Sequence, residues 1–122
     1  MEISLEDFKK CDMRAGKILS AEKILDADRL LKLSVDFGPK SSDSLDGSVE
    51  EKREVRQIIS GIAEFFPDPE TLVGRTVAFI TNIPKRTIRG LESQGMILAL
   101  KSENAFSLLS IDEDIPPGAI VG

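Results

Sequence analysis

The feature that most narrows the fold is the run Leu31-Lys32-Leu33-Ser34-Val35-Asp36-Phe37, where apolar and polar side chains alternate without a break. A period of two puts Leu33, Val35 and Phe37 on one face of a strand and Lys32, Ser34 and Asp36 on the other, a pattern that does not suit a helix. A strand buried on one side needs pairing partners and a lid for its apolar face. The chain offers several short apolar runs of strand length: 55–59, 76–81 and 96–100, with 106–111 folding back on the last of these as a hairpin across 101–105. Residues 12–25 read as a long first strand whose alternation through Met13, Ala15, Ile18, Ala21 and Ile24 is imperfect. Gly16 inside it marks a bulge or bend.

Between the strands the sequence gives only brief helical signals. Ser4 followed by Glu6 and Asp7 predicts a capped helix over 4–10, with Leu5 and Phe8 on one face. A single helical turn is predicted at 62–66, ended by Pro67 and Pro69, and 70–74 is a connector. Residues 38–53 are polar, with Pro39, Gly47 and four serines, and read as a long mobile loop. The tail from Ile115 carries Pro116 and Pro117 and ends in Ile120 and Val121, which are expected to dock on this domain or on another copy. Five or so strands, the first long and bent, with no internal repeat in 122 residues, predict one all-β domain. The expected architecture is a five-stranded Greek-key OB-fold barrel with short helices and a C-terminal extension.

Catalytic chemistry has little to work with. The chain has no histidine and a single cysteine, which removes the commonest general base, any internal disulfide and a soft-ligand zinc site. Cys11 reads as a half-buried small apolar residue. Asp26 with Asp28, and Asp112, Glu113 and Asp114, lie in turn-like sequence, where acids serve local hydrogen bonding. No cofactor, metal site or catalytic residue is expected. No apolar run approaches the roughly 18 residues of a membrane span, and the acidic start Met-Glu-Ile-Ser-Leu-Glu-Asp does not resemble a secretory signal. The expected location is the cytoplasm, with no membrane partner.

Charge distribution points to a different kind of work. The chain is acidic, with a net charge of −5, yet residues 75–91 hold Arg75, Lys85, Arg86 and Arg89 and no acid at all, and 92–122 hold Lys101 against five acids. A basic segment on an acidic body binds a polyanion locally and repels it elsewhere. Lys85, Arg86 and Arg89 pair with phosphate, and Asn82 and Gln94 bring amides able to read base edges or ribose hydroxyls. With no Trp or Tyr, an extended base-stacking platform is not expected, which favours recognition of folded RNA by shape and backbone. From the residues alone, Arg29 is either a contact or a solvated charge. Met96, at the start of an apolar run, reads as core, and the basic stretch could also be an ordinary solvated hairpin.

Separated blocks in order then carry a family likeness. Residues 7–18 (Asp-Phe-Lys-Lys-Cys-Asp-Met-Arg-Ala-Gly-Lys-Ile), 27–33 (Ala-Asp-Arg-Leu-Leu-Lys-Leu), 59–63 (Ile-Ser-Gly-Ile-Ala), 72–75 (Leu-Val-Gly-Arg) and 82–96 resemble the tRNA-binding domain family. That family occurs as free-standing proteins and as the C-terminal appendage of methionyl-tRNA synthetases. The resemblance implies an OB-fold homodimer that binds tRNA without catalysis, with methionyl-tRNA synthetase as a possible partner. Carried over by position, the implied RNA contacts are Arg29, Asn82, Arg86, Ser93 and Met96, which places Met96 at the surface rather than in the core. Lys85, Arg89 and Gln94 are added on physical grounds. Within the basic stretch the order Pro84-Lys85-Arg86-Thr87 departs from the family's usual Lys-Pro-basic-basic. Two sibling readings share the fold: secretion-related chaperone-like proteins, and protein-docking modules of synthetase assemblies.

Overall fold

A computed structural model describes residues 1–40 and 52–122. The predicted mobile loop lies for the most part outside these residues. At its two ends the described chain is strand, since Gly38 and Pro39 close β2 and Arg53 opens β3.

Five strands form one curled antiparallel sheet, β1 (Met13–Ile24), β2 (Ala27–Pro39), β3 (Arg53–Ser60), β4 (Thr76–Ile80) and β7 (Met96–Ile97), in the order β3-β2-β1-β4-β7. The all-β expectation is met, and the curl gives an OB-like half-barrel. Two hairpins stand beside the sheet: β5 (Arg86–Ile88) with β6 (Leu91–Ser93), and β8 (Ala99–Lys101) with β9 (Phe106–Leu108). Helix α1 (Leu5–Lys9) is capped as predicted, the Asp7 N–H donating to Ser4 Oγ at 3.0 Å. Short 3-10 turns occupy Ala63–Phe65 and Pro69–Leu72.

The alternation in β2 does what it predicts. Leu31, Leu33, Val35 and Phe37 are all buried and meet Ile18, Ile58, Val77 and Phe79 in the core, where the Phe37 and Phe79 rings pack edge to face at 5.3 Å. Asp36 departs from its predicted solvent face. It is 6% exposed, accepts from Arg53 Nε at 2.8 Å and from the Gly38 N–H at 2.9 Å, so a pair reaching across the β2–β3 ladder covers it.

Gly16 is needed for a different reason than the one the sequence suggests. The register shifts in β1 fall between Ile18 and Ser20 and between Lys23 and Ile24. At Gly16 a Cβ would lie 2.6 Å from Val35 Cγ1 and 2.8 Å from Phe79 Cδ2. Glycine is there because the curled sheet brings three core side chains, those of Val35, Phe79 and Phe37, against the β1 backbone.

Two further expectations change, and a third, the docking of the tail on this domain or on another copy, is met by this domain. The run 96–100 is not one strand. It breaks at Leu98, so that β7 continues the main sheet and β8 turns into the second hairpin. Cys11 is exposed rather than half-buried, because it follows a helix that buries none of its residues. The tail docks on its own domain, with the Ala15 N–H donating to the Ala119 oxygen at 2.9 Å, the Gly118 N–H to Ala15 O at 2.8 Å and the Val121 N–H to Met13 O at 2.9 Å. It nevertheless leaves Ile120 71% exposed.

Candidate nucleic-acid interface

The basic stretch is a tight hairpin rather than an open loop. Ile88 pairs with Leu91, so Arg89 and Gly90 alone make the turn, at φ of 53° and 77°. Two successive positive φ values mark the type I′ geometry, whose twist suits a two-residue hairpin. Glycine takes that conformation freely, whereas arginine does so at some cost.

The base of the hairpin is stitched to the edge strand β3. The Gln94 N–H donates to Gln57 O at 2.8 Å, the Gln57 N–H donates to Gln94 Oε1 at 3.0 Å, and Gln57 Nε2 donates to Glu92 O at 2.9 Å. Ser93, 1% exposed, accepts from the Ile59 N–H at 3.0 Å and donates to Gly95 O at 3.1 Å. Asn82 anchors the other side: its Oδ1 accepts from the Asp12 N–H at 2.8 Å and its Nδ2 donates to Lys10 O. Both amide atoms of the Asn82 side chain, the Ser93 hydroxyl and the Gln94 side-chain oxygen are thus engaged in seating the hairpin.

The cations stand clear of that seam. Arg29, Lys85, Arg86 and Arg89 are all exposed. Lys85 lies 3.8 Å from Glu92, both more than half exposed, a pair worth no more than about 1 kcal/mol. Among the described residues no carboxylate lies within 4.0 Å of Arg29, Arg86 or Arg89. The fold also brings distant residues together, since Arg29, at the start of β2, and Arg89, at the hairpin tip, line one groove with Asp26 and Asp28.

Met96 is 41% exposed, so the core reading does not hold. Ile97 opposite Phe79 takes the inward position, and alternation turns Met96, opposite Ile80, outward.

The sequence profile described as the putative tRNA binding domain matches residues 13–120. The chain belongs to that family. A methionine–tRNA ligase of Thermotoga maritima is 40% identical over 119 residues, 98% of this chain and 16% of the ligase. The chain therefore spans about one sixth of the length of such relatives. A solved MetRS-related protein from Pyrococcus horikoshii matches over the whole of both chains at 35% identity with a TM-score of 0.81. The chaperone CsaA of Bacillus anthracis superposes at 0.77 over the whole of both chains, at 23% identity, a likeness of fold alone. The expectation of a tRNA-binding module of this family is met.

Arg56 is the residue of this tRNA-binding domain that the sequence did not bring forward. Its Nη1 donates to Thr81 O at 2.8 Å and Gln94 O at 3.2 Å, its Nε and Nη2 donate to Glu54 Oε1 at 3.0 and 2.7 Å, and its guanidinium lies 5.6 Å from the Phe37 ring centre. It ties β3 to the chain on both sides of the hairpin. The signal was its spacing: Arg56 stands two before buried Ile58, which puts a cation on the inward face of a strand. At the foot of β1, Arg14 Nε and Nη2 donate to the Asp12 carboxylate at 2.9 and 3.0 Å. The hydrogen bond from Arg14 holds the Asp12 carboxyl below its ordinary range, partly offset by burial.

Proposed function

We propose that the chain is a single, non-catalytic cytoplasmic module that binds tRNA by shape and backbone and helps a methionyl-tRNA synthetase retain its substrate. The observation that carries this reading is the set of exposed guanidinium groups on Arg29, Arg86 and Arg89, with no carboxylate partner among the described residues, on a chain of net charge −5. Guanidinium pairs with phosphate in a bidentate manner, and each phosphate neutralised releases counterions, so these three residues supply affinity without reading sequence. Lys85 adds to them once its loose pair with Glu92 opens.

Met96 offers an exposed apolar contact, suited to a ribose or a base edge. Asn82, Ser93 and Gln94 act mainly by position. Their hydrogen bonds fix the base of the hairpin, and a fixed base presents Arg86 and Arg89 with little loss of entropy on binding.

The module works as a homodimer in this proposal. Leu5, Phe8, Ile120 and Val121 are exposed apolar residues, and Phe8, Ile120 and Val121 line one groove beside Arg14 and Asn82. A second copy is the natural cover for such a groove, and two copies would offer two sets of arginines to one bent RNA. The test is titration of labelled tRNA over a range of salt, with arginine variants of the hairpin.

A further inference from the structure

We propose that the groove between the β1–β2 turn and the hairpin tip selects an unpaired guanine, a step that rests on the RNA-binding reading above. The groove is lined by Asp26, Ala27, Asp28, Arg29, Leu30 and Arg89. A surface that served only to hold backbone would gain from cations alone. Here two carboxylates share the groove with two guanidinium groups, and among the described residues none of the four forms an ion pair. The acids are therefore available to a ligand rather than spent on neutralising the arginines.

An ionised carboxylate only accepts hydrogen bonds. Guanine is the one base whose Watson–Crick edge presents two adjacent donors, N1–H and the N2 amino group. Adenine and cytosine set an acceptor beside their amino group, and uracil flanks its single N–H with two acceptors, so each turns a lone pair toward the carboxylate. A guanine already paired has that edge occupied, which restricts the groove to unpaired nucleotides. Arg29 and Arg89 then neutralise the flanking phosphates or stack on the base plane.

Backbone conformation agrees with a shaped groove. Asp26 and Arg89 are the two non-glycine residues at positive φ among those described, at 61° and 53°, and both line it. Strain of this kind collects where side chains must be aimed.

The test uses RNA hairpins of one stem, with all-uridine loops except for a central G, A, C or inosine, titrated with the wild-type protein and with the Asp26→Asn, Asp28→Asn double variant. Asparagine keeps the size of the side chain and tolerates the backbone at position 26, so the fold is retained. The wild type should bind the G loop about tenfold more tightly than the A loop, with inosine between them because it lacks the amino group. In the double variant the preference should fall to about twofold or less while binding to the A loop strengthens. Equal binding of all loops by the wild type, or a G preference that survives in the double variant, overturns this inference and leaves the RNA-binding reading standing. Failure to bind any loop, and tRNA as well, at low salt overturns both.

Discussion

Gln94 and Gln57 exchange two hydrogen bonds, one from the Gln94 N–H to the Gln57 carbonyl at 2.8 Å and one from the Gln57 N–H to the Gln94 side-chain oxygen at 3.0 Å. An amide side chain here takes the place of a backbone carbonyl and extends the pairing of β3 past the end of β6. The basic hairpin is consequently part of the sheet's edge rather than a free loop. The consequences for stability and for binding can be separated by substitution.

Ser93→Ala should cost about 1–3 kcal/mol, because it leaves the Ile59 N–H buried without a partner. Urea unfolding measures this as a lower midpoint at unchanged slope. A loss below about 0.5 kcal/mol would mean that the hydroxyl does not hold the seam.

Arg89→Asn should stabilise the fold by up to about 1 kcal/mol while weakening RNA binding. Asparagine accepts the left-handed conformation at the first turn position, where arginine is strained. Paired thermal melts and binding titrations read both effects, and a variant that loses stability would show that the arginine side chain supports the hairpin.

The Asp12–Arg14 pair predicts a specific acid limb. Because the folded pKa of Asp12 is depressed, its contribution is present above the ordinary carboxylate value of 3.8 and is lost as pH falls through the folded value. Asp12→Asn should therefore be less stable than wild type at neutral pH by about 0.5–1 kcal/mol, the pair being a third exposed. The gap should narrow below about pH 4. A constant gap from pH 7 to pH 2 would assign the loss to something other than the charge.

Ile120→Asp should separate the two copies. The backbone bridge between Ile120 and Arg14 remains, while the exposed side chain changes from apolar to charged. Sedimentation should show a dimer for the wild type and a monomer for the variant, and a monomeric wild type contradicts the proposed assembly. The substitution is cleaner than removing 115–122, since the tail hydrogen-bonds to β1 and its loss would damage the fold.

Local pattern made much of this fold legible. The alternation of Leu33, Val35 and Phe37 placed their burial, the run at 76–81 gave β4, and Ser4 gave the start of α1. What escaped was set by distant partners. Asp36 sits on the polar face of β2, yet it is buried, with Arg53 reaching over it from the next strand. Gly16 suggests a bulge locally, whereas its need comes from Val35, Phe79 and Phe37. The basic residues were visible as a stretch, but an Arg-Gly type I′ turn has no sequence signal of the strength of Asn-Gly. The meeting of Arg29 with Arg89 depends on the curl of the sheet, and the internal duties of Asn82, Ser93 and Gln94 on hydrogen bonds to residues 34 to 72 positions away.

The most direct measurement is the affinity for tRNA of the wild type and of an Arg86→Ala, Arg89→Ala double variant at about 50 and 200 mM salt. The wild type should bind more weakly as salt rises. The double variant should bind more weakly still at low salt, with a salt dependence shallower by roughly 1.5–2 in log–log slope and an unchanged unfolding midpoint. Binding that ignores salt, or a double variant indistinguishable from wild type, would contradict the account.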